Sequence, residues 1–467
     1  MTVANGVPFK YQVEGATDAQ HEALNHLAQE LEVTTGQLQL IVKQFMEEMR
    51  KGLDHYGATV AMIPSYVSGR PTGNETGQYL ALDLGGTNLR VCLVELLGQG
   101  GQHRIEQEKF RISDELKTGE MTDLCDFMAE SIESFIQQRE SLKDKHLELG
   151  YTFSFPVLQT AINRGVLKQW TKGFSCKNAV DRDAALMLQE ALDRRGVSVH
   201  IAAIVNDTVG TLLAHAYRYP ETAMGVIMGT GSNACYYEKI DKIKKWDETC
   251  KDTEMVVNME WGAFDCERRV LPMTPYDNKI NRESRNVNQQ FFEKMVAGMY
   301  LGEISRNAML MLVDRLLLFN GESSPIFNTQ WAFDTAYVSM IEEDDTEDLS
   351  HTKDILESTM KIPSTTLTDR KMVKLICDWV GTRAARLAAC GLSGVLSHIG
   401  RIGQDVVVAI DGSLFEKYPN YETNIRQAMQ ELFGQEAVNK IRFDLAKDGS
   451  GLGAAIIAMV AASNQNA

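Results

Sequence analysis

Phosphate chemistry is suggested by the segment LALDLGGTNLRVCLVEL, residues 80–96, where Asp83, Gly85, Gly86, Thr87 and Asn88 crowd a turn between two apolar runs. Glycines let backbone N–H groups approach an anion, and Thr87 adds a rotatable hydroxyl donor. Asp83, at the end of the first run, can hold Mg²⁺ directly or through water. An ordinary β-hairpin with a glycine turn would read the same way. The second run of this grammar, GVIMGTGSNACYY at 225–237, favours the phosphate reading, with Gly229, Thr230 and Gly231 in the turn and Asn233 just beyond it. VVVAIDGS (406–413) ends a third apolar strand on glycine, and KDGSGLGAA (447–455) opens a C-terminal helical pattern. Neither a GxxxxGK[ST] loop nor a GxGxxG strand-to-helix fingerprint occurs, so P-loop and dinucleotide-binding folds have no motif support.

A phosphoryl group needs an acceptor, and residues between and beyond the glycine turns could choose one, although Ser154, Thr171 and Lys172 taken singly read equally as caps or surface groups. Ser154 and Phe155 stand at a strand end, and Thr171 and Lys172 follow a tryptophan. The hydroxyls can hydrogen-bond an acceptor, and Lys172 offers charge to an acceptor oxygen or to the transferred group. In AAIVNDTVGTLLA an apolar strand delivers Asn206 and Asp207 at its C-terminal end, directly before a helical pattern. Asp207 there is either a base for an attacking hydroxyl or the N-cap of the helix. Glu260 in NMEWGAF and Glu293 in QQFFEKMVAGMYLGE sit among aromatic and apolar residues, where a carboxylate needs polar partners such as vicinal sugar hydroxyls. Ser, Thr, Lys, two Asn, Asp and two Glu suit a neutral polyol better than an anion.

These residues need a frame, and 467 residues suggest two lobes. Hydrophobic (44%) and charged (24%) content is that of a globular protein, and the net charge of −16 argues against general affinity for nucleic acid or anionic membrane. Eight scattered cysteines without a CxxC pair read as reduced thiols, and no basic-then-apolar leader or long apolar span is present. Residues 18–33 and 35–51 read as helices, the second stopped by Gly52. The Pro- and Gly-rich stretch 62–77 reads as a linker, with a boundary near 76. Alternating strands and helices follow, with helices at about 121–138 and 181–195, and MVKLICDWVGTRAARLAACGLSGVLSHIG (372–400) is one long helix. The acidic run IEEDDTEDLS (341–350) reads as a solvated loop. No long tandem repeat is visible.

The series DLGGTNLRV, FSFP, WTKGF, NDTVGT, MGTGSNACY, EWGAFD, FEKMVAGMYLGE, VGTRAARLA, DGS and KDGSGLGAA closely resembles the eukaryotic hexokinase family over nearly the full length, in the single-unit size of fungal hexokinases and glucokinases. The resemblance implies an α/β, two-lobe actin-like ATPase fold with RNase H-like cores and the active site in the interlobe cleft. The large lobe would comprise 1–74 and 207–451, the small lobe 75–206 and 452–467. It also implies ATP-dependent phosphorylation of glucose, and of mannose or fructose, at the 6-hydroxyl by a cytoplasmic monomer or homodimer. Asp207 would be the base and Lys172 would support transfer. Ser154, Phe155, Thr171, Asn206, Asn233, Glu260 and Glu293 would meet the sugar. Asp83, Gly85, Gly86, Thr87, Asn88 and Arg90 would form the first phosphate segment and Gly229, Thr230 and Gly231 the second, while Gly412, Ser413, Asp448, Gly449 and Ser450 would lie by the adenosine. Mg²⁺ would bridge the terminal phosphates, its water shell near Asp83 and Asp207. A second implied reading is a weakly catalytic, sugar-sensing homologue.

Overall fold

A computed structural model describes residues 10–143, 145–170, 173–247, 251–446 and 448–465. Its strands are β1 (Ile63–Ser68), β2 (Thr76–Leu84), β3 (Asn88–Gly98), β4 (Gln102–Arg111), β5 (Leu147–Thr152), β6 (Val157–Ala161), β7 (Arg164–Leu167), β8 (Val199–Val205), β9 (Thr222–Met228), β10 (Ser232–Lys239), β11 (Glu254–Asn258), β12 (Val406–Asp411) and β13 (Ile441–Leu445). They form a five-stranded sheet ordered β4-β3-β2-β5-β8, a six-stranded sheet ordered β1-β11-β10-β9-β12-β13 and the hairpin β6-β7.

The two large sheets repeat one plan. In the first, β2, β3 and β4 form an antiparallel meander, and β5 and β8 continue it in parallel beyond β2. In the second, β9, β10 and β11 form the meander, and β12 and β13 continue in parallel beyond β9. Both glycine turns therefore occupy the same place, the tip of the first hairpin of each sheet. β9 is buried nearly throughout and β2 mainly in the half that leads into its turn, which matches the apolar runs before the glycines.

Three apolar clusters hold this frame. One joins the six-stranded sheet to helices Asp18–Leu31, Thr35–Asp54 and Leu367–His398, and a second packs helices Met121–Gln137 and Ala184–Arg195 on the five-stranded sheet. The third lies between the sheets, where helices Asp207–Arg218 and Gly449–Gln465 bury Val209, Leu212, Leu452 and Ile456 against Ala81, Val205, Cys235 and Val256. The two helices cross on glycines: a Cβ on Gly453 would lie 2.1 Å from the Gly210 carbonyl oxygen.

Several sequence expectations change in detail. Helix Thr35–Asp54 continues through Gly52, because this glycine serves close approach rather than termination. A Cβ there would stand 2.1 Å from the Val60 carbonyl oxygen. Helix N-termini at Thr17 and Thr34 are fixed by capping boxes with Gln20 and Gln37. The expected linker 62–77 contains β1, which pairs with β11 at the edge of the six-stranded sheet, where Pro64 is tolerated. In the acidic run, helix Thr335–Glu343 extends to residue 343 and Asp344 is buried. Burial pushes the Asp344 carboxyl up, but hydrogen bonds from Thr346 and Thr352 outweigh it and hold it at about 2. Among the described residues, no helix is long and apolar enough to cross a membrane.

Candidate active site

The first hairpin turn is closed by Gly85 N–H donating to the Asn88 carbonyl at 3.1 Å, with Thr87 and Asn88 exposed at the tip. Behind it, Asp83 and Arg90 are directly opposed across β2 and β3. Arg90 Nε donates to Asp83 Oδ2 at 2.9 Å, and Arg90 Nη2 makes a second, shorter contact to the same oxygen. Ser450 joins this pair, donating through Oγ to Asp83 Oδ2 at 3.0 Å and accepting from Arg90 Nη2 at 2.6 Å. Its carbonyl accepts from Thr152 Oγ1 at 2.9 Å. The start of helix Gly449–Gln465 is thus latched to the first glycine turn, with Gly449 buried behind it and Asp448, at φ 57°, exposed in front.

The second turn is built from the other side. Gly229 and Thr230 accept through their carbonyls from Gly298 and Met299, at 2.8 and 3.1 Å, so the start of helix Gly298–Asp314 anchors it and Thr230 stays exposed. Gly412 approaches from the end of β12 with φ 130°, and a Cβ there would meet the Met228 carbonyl oxygen at 2.2 Å. Ser413 follows, exposed, at the start of helix Ser413–Lys417.

Between the turns, β8 ends on Val205 and helix Asp207–Arg218 begins. Asn206 is its N-cap, its Oδ1 accepting from Thr208 N at 3.0 Å and from Thr208 Oγ1 at 2.5 Å. The capping reading of Asp207 therefore passes to Asn206. Asp207 is the first helical residue, and its Oδ1 accepts from Thr208 N at 2.9 Å. The N-terminus of a helix this long favours a negative charge there.

Across from it, Asn233 is the second residue of β10, Asn258 ends β11, and Glu260 follows in left-handed conformation at φ 53°. Asn233 Nδ2 donates to Asn258 Oδ1 at 2.8 Å and to Glu260 Oε1 at 3.2 Å, and Asn258 Nδ2 donates to Glu260 Oε1 at 2.8 Å. Trp261 pins this corner to the second turn through Nε1 and Ser232 Oγ at 3.1 Å. Glu293, on helix Phe291–Val296, accepts from Ser232 N at 3.1 Å. Its neighbour Lys294 is buried and donates to the Asn286 carbonyl at 2.8 Å, and burial lowers its ammonium to about 8.

The charge of Asp207 reaches two other carboxyls. Burial raises the Glu260 carboxyl to about 7. Asn258's hydrogen bond opposes that rise, and the charges of Asp207 and Glu293 add to it. Burial also raises the Asp411 carboxyl, with Asp207 and Asp448 adding and Arg90 opposing. One carboxylate thus feels both the Asn and Glu set and the residues beneath the glycine turns.

Ser154 is partly buried just beyond β5. Phe155 has its ring in the core, 4% exposed, with ring centroids 4.7 Å from Phe153, 4.9 Å from Trp170 and 5.3 Å from Phe174. Thr171 and Lys172 lie outside the described residues. Trp170 before them is held by its Nε1 donating to the Cys176 carbonyl at 2.9 Å. Asp411 and Asn258 are absent from the sequence-derived set. Asp411 carried the signal used for Asp207, a carboxylate closing an apolar strand, whereas Asn258 carried none that a strand-end cap would not give.

Duplicated meanders, each tipped by a glycine hairpin, define a two-lobe protein of the actin-like ATPase class. Hexokinase family models match residues 23–217 and 223–460. The hexokinase of Kluyveromyces lactis is 41% identical over 91% of this chain and 89% of its own length, and the glucokinase of Aspergillus niger is 40% identical over 94% and 97%. The structure of the Schistosoma mansoni hexokinase complexed with glucose superposes with a TM-score of 0.85 at 35% identity, covering 94% of this chain and 99% of that one. The chain belongs to the hexokinase family and is a hexose kinase.

Proposed function

We propose that the protein transfers the γ-phosphoryl group of ATP to the 6-hydroxyl of glucose, with Asp207 as general base. The observation that carries this reading is the placement of Asp207 at a helix start between the Asn233, Glu260 and Glu293 set and the two glycine turns. The hydroxyl oxygen attacks phosphorus, its proton passes to Asp207, and the bond from the γ-phosphorus to the bridging oxygen breaks to release ADP. Asn206, Asn233, Glu260, Glu293 and Ser154 bind the sugar, Thr171 closes the set, and Lys172 neutralises charge on the transferred group. Phe155 acts from behind, as packing for the strand end that carries Ser154. Mannose and fructose, sharing most of these hydroxyls, are weaker acceptors.

Gly85 to Asn88 and Gly229 to Gly231 clamp the phosphates, while Gly412, Ser413, Asp448, Gly449 and Ser450 border the nucleoside. Among the described residues, no group of three or more acidic, His or Cys side chains could hold a metal alone, and Asp83 is tied to Arg90 and Ser450. Mg²⁺ accordingly enters with ATP as part of the substrate, with Asp83 and Asp207 meeting its water shell. The lobes run 75–206 with 452–467, and 1–74 with 207–451. Helix Gly449–Gln465 packs on β2, β5 and β8, which supports its assignment across that boundary. Water resembles the acceptor hydroxyl, so closure on sugar is the means of sparing ATP. The protein acts in the cytoplasm as a monomer or homodimer, in the first step of sugar breakdown.

The test is ADP release by purified protein with Mg·ATP, with and without glucose, for wild type and Asp207→Ala. Glucose-dependent release that falls by about 10²- to 10⁴-fold in the variant is expected. No release by a folded wild type that still binds glucose would make the protein a sugar sensor instead.

A further inference from the structure

We propose that Asn258 is a positioning residue for sugar binding, its carboxamide holding Asn233 and Glu260 in the orientation in which they meet the hexose. The inference rests on the sugar site proposed above and adds to it a residue that touches both Asn233 and Glu260.

Asn258 closes β11 with its backbone paired to Ile63 on one side and Cys235 on the other, so its Cα is fixed within the sheet. The residue is 7% exposed, which denies its amide ready exchange with water. Both ends of that amide are committed. Oδ1 accepts from Asn233 Nδ2 and Nδ2 donates to Glu260 Oε1, each at 2.8 Å. Rotating the amide by half a turn would set oxygen against carboxylate and NH₂ against NH₂, so one orientation is enforced. Asn233 closes the triangle, donating to Glu260 Oε1 at 3.2 Å while its own Oδ1 accepts from Ala234 N at 2.8 Å.

The consequence for Glu260 is a division of labour between its oxygens. Oε1 is occupied by two amide donors, and Oε2 has no donor among the described residues. Sugar hydroxyls donating to Oε2 need the ionised carboxylate. Ionisation is opposed by burial and by the carboxylates facing Glu260, which are Asp207 from helix Asp207–Arg218 and Glu293 from helix Phe291–Val296. Asn258 counters them, with Asn233 helping, so Asn258 sets both the aim of Glu260 and the pH at which it is ready.

Two substitutions separate these effects. Asn258→Asp keeps an acceptor for Asn233 but turns a carboxylate toward Glu260. Asn258→Leu keeps the size and removes both bonds. Glucose is titrated calorimetrically, without nucleotide, into each folded protein between about pH 5.5 and 9, and steady-state rates are taken alongside. Wild-type affinity should rise with pH through about 7, where Glu260 ionises. In Asn258→Asp that rise should move upward by about one pH unit or more. Asn258→Leu should weaken glucose binding by about 10- to 100-fold and raise KM for glucose accordingly, with kcat within about threefold. A pH profile for Asn258→Asp that superimposes on wild type, or loss of kcat with sugar affinity intact, would overturn the inference. Wild-type protein that binds no glucose would overturn the sugar site with it, whereas wild-type binding matched by both variants overturns the role of Asn258 alone.

Discussion

Glu260 holds a carboxylate where its charge is unwelcome, and the cost has a definite pH range. Its ordinary value is 4.5, and burial, with Asp207 and Glu293 adding, raises it to about 7. The folded protein therefore keeps a proton that the unfolded chain has lost between those values. Stability falls as pH climbs from about 4.5 to about 7, and the full cost persists above that. At 1.36 kcal/mol per unit the cost approaches about 3 kcal/mol, an upper bound for a side chain that is only partly buried. Glu260→Gln should raise stability at pH 8 by about 1–3 kcal/mol and change it little at pH 5, as urea unfolding at both pH values would reveal, and it should weaken glucose binding. Equal effects at the two pH values would mean that packing rather than charge governs the site.

At the scale of elements, the proposed nucleotide side depends on backbone contact between β9 and β12. Gly412 leaves β12 at φ 130° with the Met228 carbonyl oxygen 2.2 Å from where a Cβ would be, and its Cα lies 3.5 Å from where a Cβ on Gly229 would be. Gly412→Ala should therefore push the second turn aside. We expect a loss of about 2 kcal/mol or more in chemical denaturation and a raised KM for ATP, with glucose affinity kept. Unchanged KM for ATP would separate this corner from nucleotide binding. Both hairpins were legible in the sequence because uninterrupted apolar runs flank glycine turns, and helices 121–138 and 181–195 were legible to within three residues from their apolar period. Where long-range pairing decides, local reading failed. β1 looked like a linker, since its partner lies in β11 and its own Pro64 and Gly69 spoke for a turn. The long helix was read as starting at 372 but begins at Leu367, because its capping box, Thr366 with Asp369, is wholly polar. Asn258 escaped notice for a related reason: its partner Asn233 is 25 positions away, and only the antiparallel register of β10 and β11 brings the two together.

The whole molecule is a twofold repeat of one sheet plan without a visible sequence repeat, since a meander constrains burial and turn residues rather than side-chain identity. Duplication gives two glycine-tipped hairpins, and it also gives a seam. That seam is the third apolar cluster, in which helices Asp207–Arg218 and Gly449–Gln465 cross through Gly210, Gly449 and Gly453. Backbone packed on backbone presents no long side chains to interlock, which suits small sliding between packed helices. Among the described residues, Thr211 at this crossing has a buried hydroxyl without a hydrogen-bond partner, and a Cβ on Gly449 would lie 2.8 Å from it. The proposed base Asp207 begins one helix and Ser450, proposed to border the nucleotide, lies in the first turn of the other, so a slide at their crossing alters the distance between the two. On the proposed site, sugar on Asn206 and Glu260 would draw on residues from both sheets, and it is the ligand that should drive the shift. Small-angle scattering should show the radius of gyration falling when glucose is added to saturation. Scattering that stays the same, with glucose binding confirmed on the same sample, would remove closure from the mechanism and leave the protection of ATP from water to the static site.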